Sequence, residues 1–135
     1  MAGYSGTPLA RKLGIKPDST ILLLNAPKEY RSWLGVLPKD VGFAAKAPKS
    51  GCAMVHLFVT SAAELARDLP KARKAIAPDG MIWVSWYKKS ARIPTDVTED
   101  LIRERALKTD LVDVKVCAVT DVWSGLKLVV RKHLR

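Results

Sequence analysis

Seven residues in this sequence carry side chains suited to holding a ligand and stand at matching points of its pattern. They are Asn25, Thr60, Ser61, Lys88, Lys89, Trp123 and Ser124. Together they offer an amide, three hydroxyls, two ammonium groups and an indole, a set that suits a planar base or a phosphorylated ligand. Catalysis has no comparable signature. No nucleophile–base pair stands out, and Ser124 before Gly125 lacks the Gly-x-Ser-x-Gly context of a hydrolase elbow. His56 alternates with Met54 and Phe58 and reads as a hydrogen-bonded core histidine. Cys52 and Cys117 stand 65 positions apart, outside any metal-ligand or CxxC spacing, and read as small hydrophobes in a reducing compartment. No catalytic residue and no metal ligand is assigned.

The formal net charge is +10, and residues 1–50 and 51–135 each net +5. Such a balance favours anionic partners: small phosphorylated molecules, acidic protein surfaces or nucleic acid. The stripe Arg67, Lys71, Lys74 has helical spacing and reads as solvated surface. No apolar run approaches the roughly 18 residues needed to cross a bilayer, and "MAGYSGTPLARKLG" has no hydrophobic signal core, so a cytoplasmic protein is expected.

The elements that would position these residues follow from apolar periodicity. Thr7-Pro8 should open a short helix ending at Gly14. "TILLL" (20–24), "AMVHLFV" (53–59) and "MIWVSWY" (81–87) are apolar at consecutive positions, as in strands of a parallel sheet covered on both faces. A helix is expected over 28–37 and a weak strand over 40–45. Ser61 with Glu64 makes a capping-box start for a helix that Pro70 should kink or restart. "PDG" (78–80) reads as a turn, and Asp96 with Glu99 as the cap of a helix reaching about Lys108, its buried side Val97, Leu101, Ile102, Ala106 and Leu107. "LVDVKVCAV" (111–119) and "LKLVVR" (126–131) form a hairpin around "TDVWSG", with Trp123 in the turn. Alternating strands and helices predict a single α/β domain over 1–135: a three-layer, Rossmann-like, mostly parallel sheet with a C-terminal antiparallel hairpin. Ligands of such sheets bind outside the carboxyl ends of the strands, which is where the seven residues converge. Trp83 and Trp86, an odd number apart, should face opposite sides.

"LPKARKAIAPDGMIWVSW" resembles the stretch of class I SAM-dependent methyltransferases in which a helix meets a Pro-Asp-Gly turn before a strand. "YSGTPLARKLGIKP", "LLLNAP", "PDGMIWVSW", "LVDVKVCAV" and "WSGLKLVVRK" together resemble a small bacterial family of unknown function described as truncated, methyltransferase-like modules. The resemblance implies a shortened methyltransferase-like fold and SAM as the family's cofactor. The loop after the first strand departs from it. Asn25-Ala26-Pro27-Lys28 has no glycine, Pro27 lacks an N–H, and "FAAKAP" ends the next strand without a carboxylate. The leading expectation is therefore a non-catalytic binding or regulatory module that engages an anionic or nucleotide-like ligand, or an acidic partner, and holds no cofactor. The rival is a SAM-dependent methyltransferase whose atypical loop binds SAM through Asn25 and backbone groups. A second rival is a nucleic-acid-binding protein.

Overall fold

The computed structural model describes residues 7–135, so Tyr4, Ser5 and Gly6 of the N-terminal motif lie outside the described residues. A six-stranded sheet organises the chain in the order β2-β1-β3-β4-β6-β5. The strands are β1 (Thr20–Leu24), β2 (Gly42–Ala44), β3 (Cys52–Phe58), β4 (Ile76–Tyr87), β5 (Leu111–Ala118) and β6 (Trp123–Val130). β2, β1, β3 and β4 are parallel, whereas β6 is antiparallel to both β4 and β5. The expected mostly parallel sheet with a closing antiparallel hairpin is what forms, and the weak strand at 40–45 is present as three residues.

Because successive strand residues alternate faces, the apolar runs of β1, β3 and β4 feed two cores. On one face, α1 (Leu9–Lys12) and α2 (Tyr30–Leu34) pack over Ile21, Met54, Phe58 and Trp83. On the other, α3 (Ala62–Ala75) and α4 (Glu99–Leu107) pack over Val55, Leu57, Val84 and Trp86. Trp83 and Trp86 thus face opposite sides, each beneath helices, as their spacing requires.

Several boundaries differ from expectation for identifiable reasons. α1 begins after Pro8 with no side-chain cap bond from Thr7. α2 covers only half of 28–37, because Gly35 at φ +78° ends it. α3 runs through Pro70 without restarting: the carbonyl that proline leaves unpaired belongs to the exposed Ala66, where water can satisfy it. The Pro-Asp-Gly stretch is not a turn. It is a bulge inside β4, where pairing jumps from Cys52–Ile76 to Met54–Met81, so α3 passes directly into a strand. Two glycines permit the bulge. A Cβ on Gly51 (φ +89°) would lie 2.4 Å from the Ala77 nitrogen, and one on Gly80 would lie 2.7 Å from the Cys52 carbonyl oxygen.

Asp96 does not cap α4. Thr98 does, its Oγ1 accepting from the Leu101 N–H at 3.1 Å, while Asp96 accepts from the Ala62 N–H at 2.8 Å and so serves the first turn of α3. Val97, buried between them, fixes where the chain enters α4. Ile102 and Ala106 are buried as expected, but Leu107, in the last turn, is exposed.

Candidate functional site at the carboxyl rim

β1 continues through α2 to β2 on one side, and β3 continues through α3 to β4 on the other, so the carboxyl ends of β1 and β3 form the switch point of the sheet. Asn25 stands there in the left-handed backbone region at φ +60°, a conformation that asparagine tolerates well. Its amide nitrogen donates to Asp68 Oδ2 at 2.8 Å and to the Phe58 carbonyl at 3.2 Å, tying the ends of β1 and β3 to α3. Asp68 is buried, and its carboxylate accepts two bonds from Arg67 at 2.9 and 2.7 Å, with Lys71 at 3.5 Å. Arg67's hydrogen bond, helped by the Asn25 amide, holds Asp68 down to about 2 despite its burial. The crevice between β1 and β3 is filled by this clamp. Asp68 went unrecognised in the sequence, although Leu65, Asp68, Leu69 and Ala72 share one helical face and a carboxylate on an apolar face needs a partner.

Thr60 and Ser61 are likewise engaged. Ser61 Oγ accepts from the Glu64 N–H at 3.1 Å, and the returning Glu64 carboxylate accepts from the Thr60 N–H at 2.7 Å. The Thr60 carbonyl accepts from Thr95 Oγ1 at 2.7 Å, which fastens the loop after β4 to the start of α3.

Lys88, Lys89 and Ser124 border one cleft of about 830 Å³ on the α4 side of the rim, together with Arg92, Thr98 and Glu99. Among the described residues Lys88, Lys89 and Arg92 enter no ion pair, whereas Glu99 and Asp100 on the far wall are both bound by Arg103. Arg92 adopts φ +54°, a position that sequence periodicity does not flag.

Trp123 lies apart from this cleft. It is the first residue of β6 and not part of a turn: it pairs with Tyr87 and is only 8% exposed. Its ring packs edge-on against Phe58 at 4.9 Å and tilted over Tyr87 at 4.4 Å. The turn is shorter than expected because Thr120 Oγ1 accepts the Val122 and Trp123 N–H groups, returning the chain early. Trp123 forms part of the floor of a second cavity of about 770 Å³, between α1, α2 and the hairpin turn, lined mainly by apolar groups such as Pro8, Trp33 and Val122. The seven residues therefore share one end of the sheet but divide into a clamp and helix cap (Asn25, Thr60, Ser61), a basic cleft (Lys88, Lys89, Ser124) and an aromatic floor (Trp123).

His56 is fully buried at the centre of β3. One ring nitrogen lies 2.7 Å from the Tyr30 hydroxyl and the other 2.7 Å from Ser85 Oγ. Burial lowers its pKa to about 3, so the ring is neutral, one nitrogen donating and the other accepting. Burial also pushes the Tyr30 hydroxyl up, with a smaller contribution from Cys117. His56 is the satisfied core histidine that its alternation implies. Among the described residues no group of three His, Cys, Asp or Glu is placed to hold a metal, and Cys52 and Cys117 are free, each with its pKa raised chiefly by burial.

No family model and no curated protein matches the sequence. Solved structures do match the fold. DhpI in its SAH complex is 13% identical with a TM-score of 0.57, over 92% of this chain and 83% of that one. Ribosomal protein L11 methylase from Lactobacillus delbrueckii subsp. bulgaricus is 11% identical with a TM-score of 0.55, over 91% and 75%. A protein of the NADB-Rossmann superfamily from Streptococcus agalactiae is 10% identical with a TM-score of 0.50, over 94% and 69%. The chain has a shortened, methyltransferase-like α/β fold. At these identities the likeness speaks for fold and leaves activity to the residues themselves.

Proposed function

We propose that this domain is a non-catalytic binding module that takes an anionic, phosphate-bearing or nucleotide-like ligand in the cleft bordered by Lys88, Lys89, Arg92 and Ser124. The observation that carries the reading is the alignment of three cations, free of ion pairs among the described residues, along one cleft at the carboxyl rim. Its volume falls within the usual range of small-molecule sites, and an unpaired cluster of like charges is relieved by a bound anion. The clamp of Asn25 on Asp68 supports the same reading, because it fills the switch-point crevice and moves any site outward along β4. Isothermal calorimetry against ATP, ADP and pyrophosphate tests it. Binding should weaken at least tenfold in a Lys88→Ala, Lys89→Ala, Arg92→Ala triple variant. Heats at the level of dilution for all three ligands would end the proposal.

A second reading is favoured by the matching structures, whose titles include complexes with SAH and SAM. Here the domain binds SAM through Asn25 and neighbouring backbone groups and remains a methyltransferase. It requires the Asn25 amide to leave Asp68. Tryptophan fluorescence titrated with SAM and S-adenosylhomocysteine discriminates: a saturable change supports this reading, and a flat response removes it.

A further inference from the structure

The charges of the domain are sorted by face. Every ion pair among the described residues involves α3 or α4, from Arg67 with Asp68 and Arg73 with Asp110 to Arg103 with Asp113. The opposite face of the hairpin, on the α1 side, holds none. There Lys115 on β5 stands directly across from Lys127 on β6, and Lys127 is in turn the cross-strand partner of Trp83 on β4. The Trp83 indole donates to the Leu13 carbonyl at 2.9 Å, which anchors the end of α1 and brings Lys16 to the same patch. Lys12 reaches this face as well, its Nζ donating to the Ala118 carbonyl on β5 at 2.8 Å. The ammonium of Lys127 is pulled below its usual pKa, first by burial and then by Lys115 and Lys16.

Like charges directly opposed across strands are destabilising. A lysine on the edge strand β5 has an ordinary purpose, since it discourages edge-to-edge pairing. That purpose does not cover Lys127, which is half-buried on an inner strand. We propose that the lysine face of β5 and β6 is a docking track for the phosphate backbone of single-stranded nucleic acid. The track is two strands wide, roughly 5 Å between facing residues, too narrow to follow both backbones of a duplex. It offers cations with little apolar area beside them, which suits a partner of repeating charge better than an acidic protein surface that must bury apolar contacts. The inference is independent of the basic cleft, which lies across the sheet.

Fluorescence anisotropy with a short labelled single-stranded oligonucleotide, followed between about 50 and 200 mM salt, reads the track directly. Three to four lysine–phosphate contacts predict a slope of log K against log salt of about −2 to −3. A Lys16→Gln, Lys115→Gln variant, at two exposed positions and therefore folded, should lower the magnitude of that slope by about 1.4, and adding Lys127→Met should lower it further. A Lys89→Ala, Arg92→Ala variant should leave it unchanged. The proposal is overturned by any of four results: no binding at the lowest salt, an unaltered slope in the lysine variants, duplex binding as tight as single strand, or polyglutamate competing equally charge for charge.

Discussion

Lowering the pH from 7 to 5 should weaken the fold through one residue, His56. Its imidazole sits between Tyr30 and Ser85 with a pKa near 3 in the folded state, against 6.5 for the free side chain. The unfolded chain therefore binds a proton on this ring that the folded chain refuses. The stabilisation is complete above the unfolded value and is lost progressively as pH falls from about 6.5 towards 3. Each pH unit inside that window corresponds to about 1.4 kcal/mol, so the step from pH 7 to pH 5 removes about 2 kcal/mol. The carboxylates do not confuse the measurement. Asp68 and Asp110 have lowered pKa values, so their contributions are present throughout this range and fade only in stronger acid. The assay is urea unfolding at pH 7, 6 and 5 for the parent protein and for His56→Gln, in which the buried group no longer titrates. The variant will be less stable at every pH, and only the change with pH is informative. If both proteins lose stability in parallel, the buried neutral histidine is wrong.

Tyr30→Phe leaves a ring nitrogen of His56 unpartnered in the core and should cost about 1–3 kcal/mol, read by thermal unfolding. Asn25→Gly keeps the left-handed backbone but removes the amide from Asp68. It should destabilise by about 1–2 kcal/mol and, by emptying the switch-point crevice, is the variant in which a tryptophan fluorescence response to SAM should first appear if the fold retains any affinity. Trp123→Ala should cost about 3–5 kcal/mol in urea unfolding, because the ring behaves as core. Gly51→Ala, where a Cβ meets the β4 backbone at positive φ, should lose about 2 kcal/mol or more.

The architecture was legible because consecutive apolar residues in 20–24, 53–59 and 81–87 admit little besides strands covered on both faces, and Ser61 with Glu64 marks a helix start by a local bond. What escaped the sequence was decided by contacts between distant segments. Asp96 and Glu99 have capping-box spacing, yet Asp96 is claimed by the Ala62 N–H, 34 positions away. The Pro-Asp-Gly signal is real turn chemistry, but the neighbouring strand draws it into a bulge that Gly51 and Gly80 leave room for. Trp123 was placed in a turn because no local pattern reveals that Thr120 gathers the chain early. The seven rim residues do lie at one end of the sheet. Their separation into clamp, cleft and floor depends on Asp68 and on the two sides of β4, which spacing along the chain cannot express.

The strand latest in sequence is not an outer one. β6 is threaded between β4 and β5, and β5 has no other neighbour in the sheet. Deleting 123–130 would thus detach two strands at once and lay bare the flank of β4 along its whole paired length. The hairpin works as a wedge: a fragment ending at residue 122 would carry an unfinished sheet whose newly uncovered border invites self-association.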